Sequence, residues 1–530
     1  MKKHLYTFKT EPFTNFQLEE NKQLFKEQLE HVSAELGKEY SLIIDGKRIK
    51  SERFLTSYNP GNKKEIIGTV FVADTTLAEQ AHVASQHAFE TWRKVSVEKR
   101  AQLLFDTAAL LRERKHYFSS WLVYESGKNW VEADADTAEA IDFLEYYGRQ
   151  MLDLANPDPL LSIDSNVETP KYIQFPNEKN TLKYIPLGVG IILPPWNFPL
   201  AILAGMTTAA IVAGNTVILK PSERTSVIGY KFVELLEEAG MPKGVVNYLP
   251  GYGTEIGDYL VDHPKTRFIS FTGSKTIGQR IYERAGKTQN GQIWLKRVVA
   301  EMGGKDGIVV DETADLDRAA RDIVTSAFGF QGQKCSAGSR AIIVESVYEE
   351  VKKKILTYAS GLTVGSQLEN HPVGPVCDEV AFKNIVNYIE IGQKEGTLLL
   401  GGKGNDEIGY YIEPTIIENI ERHHRVFQEE IFGPVLTLTK AKEWKEAIDL
   451  YNDTEYGLTG AFHSKNEERI EEAYERMHCG NLYINKKCTG ALVGIHPFGG
   501  FNMSGTDSKA GGPDYLLQFT QAKLVTRLEE

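Results

Sequence analysis

Between Tyr184 and Leu219 the chain carries no charged residue, which restricts its fold more tightly than any other stretch. So long an uncharged run belongs inside protein or inside lipid. Pro186, Pro194, Pro195 and Pro199, with Asn197 and Asn215, cut it into pieces too short to cross a bilayer core of about 30 Å. Its period and punctuation predict a buried strand over Gly188 to Leu193, a loop, a helix over about Pro199 to Ala213, and the strand TVILK.

Alternation continues with a helix near Ser226 to Ala239, strand VVNYLP, a helix near Thr254 to Asp262, strand RFISFTG and a helix near Ser274 to Arg284. Continuous apolar strands between amphipathic helices predict an α/β fold, a parallel sheet covered on both faces, of nucleotide-binding type. Helices over Thr76 to Lys94, Val97 to Arg114 and Ala133 to Met151 are expected to pack on it. After Glu301 a second alternating region begins with strand GIVV, helix Leu316 to Phe328 and strand AIIVE, and runs to about residue 485. At 530 residues the chain exceeds what one core serves, so two domains with a boundary near Ala300 are expected. The segment Leu160 to Leu182 and the tail after Asp514 read as peripheral strands of an intersubunit arm.

Composition narrows the function. Sixty basic residues against 72 acidic ones, with no basic block, disfavour nucleic acid and anionic membranes as partners. The four cysteines form no CxxC pair and no secreted disulfide framework, and the start MKKHLYTFKTEPFTNF holds no export signal, so a reducing cytoplasm is expected. No metal centre is expected.

The glycine-rich loops fail the familiar templates. PGYGTEIG carries Gly251, Gly253 and Gly257, one residue too widely spaced for GxGxxG, and FTGSKT lacks the glycine and lysine order of a Walker loop. Gly273 and Ser274 nevertheless stand where a strand passes into a helix, a place that attracts phosphate, although a tight turn explains them equally well. Lys220 and Glu223 of KPSE end a strand, where they suit ribose hydroxyls or a solvated ion pair.

Cys335, in GFQGQKCSAGSR, sits among small residues that leave its sulfur room to meet a ligand. A free thiol with a pKa near 8.5 needs a base, a cation or a helix terminus to activate it. Glu301 in AEMGGK is the candidate base, 34 residues upstream (335 − 301), enough for one strand and one helix to return the chain to the same crevice. Asn197, held between prolines in PPWNFP, is either a turn asparagine or a rigid donor for an oxyanion. Together, thiol, carboxylate and amide suggest acyl chemistry on a carbonyl compound.

PPWNFP, KPSE, FTGS, EMGGK, GQKCSAGSR, EEIFGPV and PFGGF stand in the order and approximate spacing of the NAD(P)-dependent aldehyde dehydrogenase superfamily, which this chain resembles over nearly its whole length. The missing GxGxxG agrees with that family's variant Rossmann domain. The resemblance implies a dinucleotide-binding domain of residues 1–158 and 183–300, a second α/β catalytic domain of 301–488, and a small oligomerisation arm and tail of 159–182 and 489–530. It implies Cys335 as nucleophile, Asn197 and the Cys335 N–H as oxyanion donors, and Glu301 as the base that activates water. For the cofactor it implies Ile192, Pro194, Trp196, Lys220, Ser222, Glu223, Gly253, Gly257, Phe271, Gly273, Ser274, Ile277, Met302, Gly303, Glu430 and Phe432. A carboxylate at 223 would repel a 2′-phosphate, which favours NAD over NADP.

FQGQKCSAGSR, TGALVG and SGTDSKAGGPDYL look like the branch of the family that acts on L-glutamate 5-semialdehyde, with another small aldehyde as the alternative. In that branch Ser336 and the N–H groups of Gly490 and Ala491 would bind the amino acid carboxylate, with Phe498 packing on its carbon chain and Phe198 also among the substrate-binding residues; a plain surface glycine loop is the other reading of TGALVG. His496 reads as structural, and Cys377, Cys479 and Cys488 as packing or idle. The resemblance also implies a homo-oligomer. No second catalytic domain for proline oxidation is legible, so the semialdehyde is expected from a separate proline dehydrogenase, with a transient contact between the two.

Overall fold

The computed structural model describes residues 7–155 and 177–529. Its frame is two seven-stranded sheets. The first contains β1 (Leu42–Ile44), β2 (Lys47–Ile49), β3 (Val189–Leu193), β4 (Thr216–Leu219), β5 (Val246–Tyr248), β6 (Thr266–Thr272) and β7 (Arg297–Glu301), in the order β7-β6-β3-β4-β5-β1-β2. The second contains β8 (Asp306–Val310), β9 (Gly338–Val344), β10 (Thr397–Leu400), β11 (Thr415–Glu418), β12 (Val435–Ala441), β13 (Thr459–His463) and β14 (Asn481–Ile484), in the order β10-β11-β12-β9-β8-β13-β14. Strands β3 to β7 are mutually parallel, as are all of the second sheet except β10.

The uncharged run folds as its punctuation predicts. β3 and β4 are buried almost throughout, and the Ala201–Val212 helix between them is buried on nearly every side. A helix apolar all round can only sit inside the molecule. At Gly190 a Cβ would fall 2.0 Å from the Phe268 ring on neighbouring β6. Gly190→Ala is therefore expected to cost about 1–3 kcal/mol by overpacking, read as a lower denaturation midpoint; an unchanged midpoint would show that the sheet relaxes freely there.

β3 is flanked by β4 on one side and β6 on the other, so strand order reverses at β3. Ligands of open α/β sheets bind outside the carboxyl ends of strands at such a point. After β7 the chain crosses Met302 to Lys305 into β8, so the carboxyl edge of the first sheet meets the amino edge of the second. The crevice of interest lies along this junction.

Several elements went unread in the sequence. The Glu19–Ser33 helix and the β1–β2 hairpin precede the legible region, and the hairpin adds an antiparallel edge to the first sheet. The Lys115–Ser126 helix is buried along most of its length and shows no amphipathic period. The helix expected over Thr254 to Asp262 opens as one turn of π-helix, Gly253–Gly257, that begins and ends on glycine. The helix expected from Ala133 runs over Trp130–Leu154, where the Asn129 side chain accepts the Glu132 N–H as N-cap. Of the expected arm, residues 160–176 lie outside the described residues; Glu178–Pro186 pairs antiparallel with Thr520–Leu528. Among the described residues, no helix is long and apolar enough to cross a membrane.

Candidate active site

Pro194 and Pro195 end β3, since neither can donate to the sheet, and the chain turns into the Ala201–Val212 helix. In that turn Asn197 is buried, and its Nδ2 donates to the Gln333 carbonyl at 3.0 Å. Gln333 lies two residues before Cys335, so the amide is fastened directly to the cysteine loop. An amide has two N–H bonds, and the second remains for a ligand.

The Leu316–Phe328 helix closes in a 3-10 turn, Gly329–Gly332, where Phe330 has φ 48° and Gln331 φ 56°. Left-handed backbone at non-glycine residues is disfavoured and persists only when surroundings enforce it. Here Phe330 is buried, Gln331 Nε2 donates to the Pro375 carbonyl at 2.9 Å, and a Cβ at Gly332 would lie 2.2 Å from the Gly433 carbonyl. Cys335 follows, half-buried and free. Burial and the carboxylates of Asp306, Glu301 and Glu430 push its thiol well above the ordinary range. Of the activating groups foreseen, a cation is thus not what dominates around the sulfur.

Glu301 ends β7 and is buried. Ser508 Oγ donates to its Oε1 at 2.7 Å, and the Gly500 N–H to its Oε2 at 3.4 Å. Burial pushes the carboxyl up to about 8, against the opposing pull of those hydrogen bonds and of Lys509. Gly499 must be small here, since a Cβ would sit 3.0 Å from Oε1 and 1.7 Å from the Ser508 carbonyl.

The residues at the strand ends fit a dinucleotide. Lys220, buried at the end of β4, has its ammonium 3.4 Å from the Pro221 carbonyl and 3.7 Å from Glu223, leaving donors for hydroxyl groups. Burial lowers its pKa, and Glu223 raises it. Glu223 accepts the Gly253 N–H at 2.7 Å, and beside Gly257 a Cβ would meet nothing within 4 Å. Gly273 and Ser274 open the Lys275–Gly286 helix, where Ser274 makes no side-chain cap and Ile277 is exposed. Phe271 packs under Gly273, and Met302 under Gly278. Glu430 accepts the Gly304 N–H at 3.0 Å and lies against Gly303; burial raises it to about 7. Trp196 and Phe432 meet edge to face at 5.5 Å. Pro194 and Ser222 line the same strand ends, whereas Ile192 lies wholly within the core, its carbonyl accepting the Lys220 N–H.

The residues expected around the substrate converge partly through Cys488. Its Sγ donates to the Ser336 carbonyl at 3.4 Å and its N–H to Ser326 Oγ at 3.3 Å, so it is not idle. This ties the 488–491 loop to the cysteine loop. Gly490 is exposed with φ 81°, which glycine adopts freely, and Ala491 and Phe498 are half-buried. Phe198 meets Phe330 edge to face at 6.4 Å. His496 Nδ1 accepts the Leu492 N–H at 3.2 Å, a structural bond.

Four contributors are not legible in the sequence. Ser508 and the Gly500 N–H reach Glu301 from the far end of the chain; they stand in SGTDSKAGG and PFGGF, but nothing local in either motif marks its partner. Glu132 pairs with Lys334 at 2.7 Å beside Cys335, and Asp306 stands close enough to raise the thiol.

A sheet edge that fits a dinucleotide, facing a cysteine, an amide and a buried carboxylate, defines an oxidoreductase of aldehydes, and the sequence profile of the Aldehyde dehydrogenase family matches residues 48–525. This chain belongs to that family. It is 56% identical over 522 residues to the 1-pyrroline-5-carboxylate dehydrogenase of Geobacillus thermodenitrificans (strain NG80-2), covering 98% of this chain and 99% of that protein. The Thermus 1-pyrroline-5-carboxylate dehydrogenase solved with bound NAD matches with a TM-score of 0.95 at 47% identity, covering 98% of this chain and 99% of that one. Proline utilization A (PutA) from Bdellovibrio bacteriovorus matches with a TM-score of 0.93 at 39% identity over 98% of this chain and 53% of that one.

Proposed function

We propose that this protein oxidises L-glutamate 5-semialdehyde, the ring-opened form of 1-pyrroline-5-carboxylate, to L-glutamate with NAD. The names and the near-full-length identity of the relatives support the substrate. The bond from the Asn197 amide to the Gln333 carbonyl, two residues before Cys335, carries the chemical reading, because it sets an oxyanion donor beside the nucleophile.

In this reading the Cys335 thiol gives its proton to solvent water as the sulfur bonds to the aldehyde carbon, and the carbonyl electrons move to an oxygen held by Asn197 and the Cys335 N–H. Bound NAD would supply the hydride acceptor needed to oxidise the thiohemiacetal on Cys335 to a thioester. Glu301 then takes a proton from water; the new C–O bond forms, the C–S bond breaks, and the product leaves as a carboxylate. Lys220, Glu223, the 273–274 turn and Glu430 would hold the cofactor, so in this reading the dinucleotide lies mainly on the first sheet and the nucleophile comes from the second. Ser336 and the Gly490 and Ala491 N–H groups hold the substrate carboxylate. The free cysteines suit a reducing compartment, and the 178–186 and 520–528 ladder suits an arm between subunits of a homo-oligomer.

Following NADH at 340 nm with 1-pyrroline-5-carboxylate, propanal and succinic semialdehyde tests the substrate. Turnover confined to the first supports the assignment; equal or faster turnover of the others transfers it to another small aldehyde. Asn197→Ala is expected to lower kcat by about 10²–10³, with KM for NAD unchanged. A proline dehydrogenase that forms the semialdehyde is proposed as a transient partner; failure to co-elute and absence of kinetic coupling would remove it.

A further inference from the structure

We infer that the buried Lys128–Asp136 ion pair is a positioning device that fixes the Asn197 amide relative to the Cys335 thiol. The inference rests on the roles proposed above for those two residues. Both members of the pair are fully buried, 2.9 Å apart.

Each member reaches a different part of the site. Asp136 Oδ1 accepts the N–H of Ala201 at 2.7 Å, at the start of the helix that follows Asn197 and Phe198. Lys128 places its ammonium 3.7 Å from the centre of the Phe198 ring and 4.6 Å from that of Phe330. One ring neighbours the amide in sequence, and the other belongs to the turn that delivers Cys335. A cation between two aromatic faces is attracted to both. Residues beside the pair extend the grip, since the Gly127 carbonyl accepts from Gln331 Nε2 at 3.4 Å and Glu132 pairs with Lys334.

The segment from Gly127 to Asp136 thus touches Phe330, Gln331 and Lys334 on one side and Phe198 and Ala201 on the other. Phe330 and Gln331 hold left-handed backbone, which requires external support. Stability alone gives little reason for the pair, because apolar residues of similar volume usually serve as well as a buried ion pair. Its geometry gives a better one: a single charge links the loop of the amide to the loop of the thiol.

The test uses the full-length protein without cofactor and two reactions of Cys335. Iodoacetamide alkylates the thiolate by displacing iodide, forming an S–C bond as the C–I bond breaks, with no oxyanion. p-Nitrophenyl acetate acylates it through a tetrahedral oxyanion that expels p-nitrophenolate, so this reaction alone needs the amide. Asn197→Ala sets the scale for the ratio of the two rate constants. Lys128→Met and Asp136→Asn are expected to lower acylation relative to alkylation by about 10-fold or more, and Lys128→Arg to stay near wild type. A wild-type ratio in Lys128→Met, even with both rates reduced, would overturn the inference and leave a merely structural pair. Should Lys128→Met fail to fold, Asp136→Asn decides by the same ratio. Acylation of Cys335→Ala at the wild-type rate would instead sink the reading of Cys335 itself.

Discussion

Cys335→Ala is expected to abolish NADH production from every aldehyde, by a factor on the order of 10⁴ or more. In the proposed mechanism the thiol forms the covalent bond to substrate, and Cys488 is no substitute for it, being buried with its hydrogen committed to the Ser336 carbonyl. Cys335 itself is half-buried and makes no disulfide, so its removal leaves the fold intact. Steady-state rates beside a thermal melt check both halves of the statement. A variant that melts normally yet keeps more than a few per cent of the activity would exclude covalent catalysis by this residue.

Glu301→Gln separates the two halves of the reaction. It keeps the shape and the hydrogen bond from Ser508 but cannot take a proton from water, so the first turnover should proceed and the second stall. The expected record is a burst of about one NADH per subunit followed by a steady rate lower by about 10²–10⁴. A uniform slowing without a burst would move the base elsewhere. The pH dependence follows from burial, which raises this carboxyl to about 8. A general base works only when ionised, so hydrolysis of the thioester is expected to climb with pH to about 8 and level off above it. In the glutamine variant that limb should vanish.

Local pattern carried much of the architecture. Strands buried on both faces read as unbroken apolar runs, as in VGIIL and DGIVV, and helices between them show one apolar stripe; both signals depend only on neighbours within a few residues. Proline pairs, glycine turns and the order of seven short motifs marked Cys335, Glu301 and Asn197 as candidates before any distance was known. The Lys115–Ser126 helix escaped because it is buried all round and has no stripe.

What the chain encodes by itself, then, is the alternation of the two sheets and the kinds of chemical group set at their edges. The tertiary structure alone decided which groups meet. Asn197 bonds to a carbonyl 136 residues away, and Ser508 to a carboxylate 207 residues away. Lys128 joins two loops that share no sequence signal. Periodicity reports which face of an element is buried and is silent about the partner buried against it. The raised thiol of Cys335 and the raised carboxyl of Glu301 arise from burial and from charges brought together across the fold, so they exist only once the chain has closed around them.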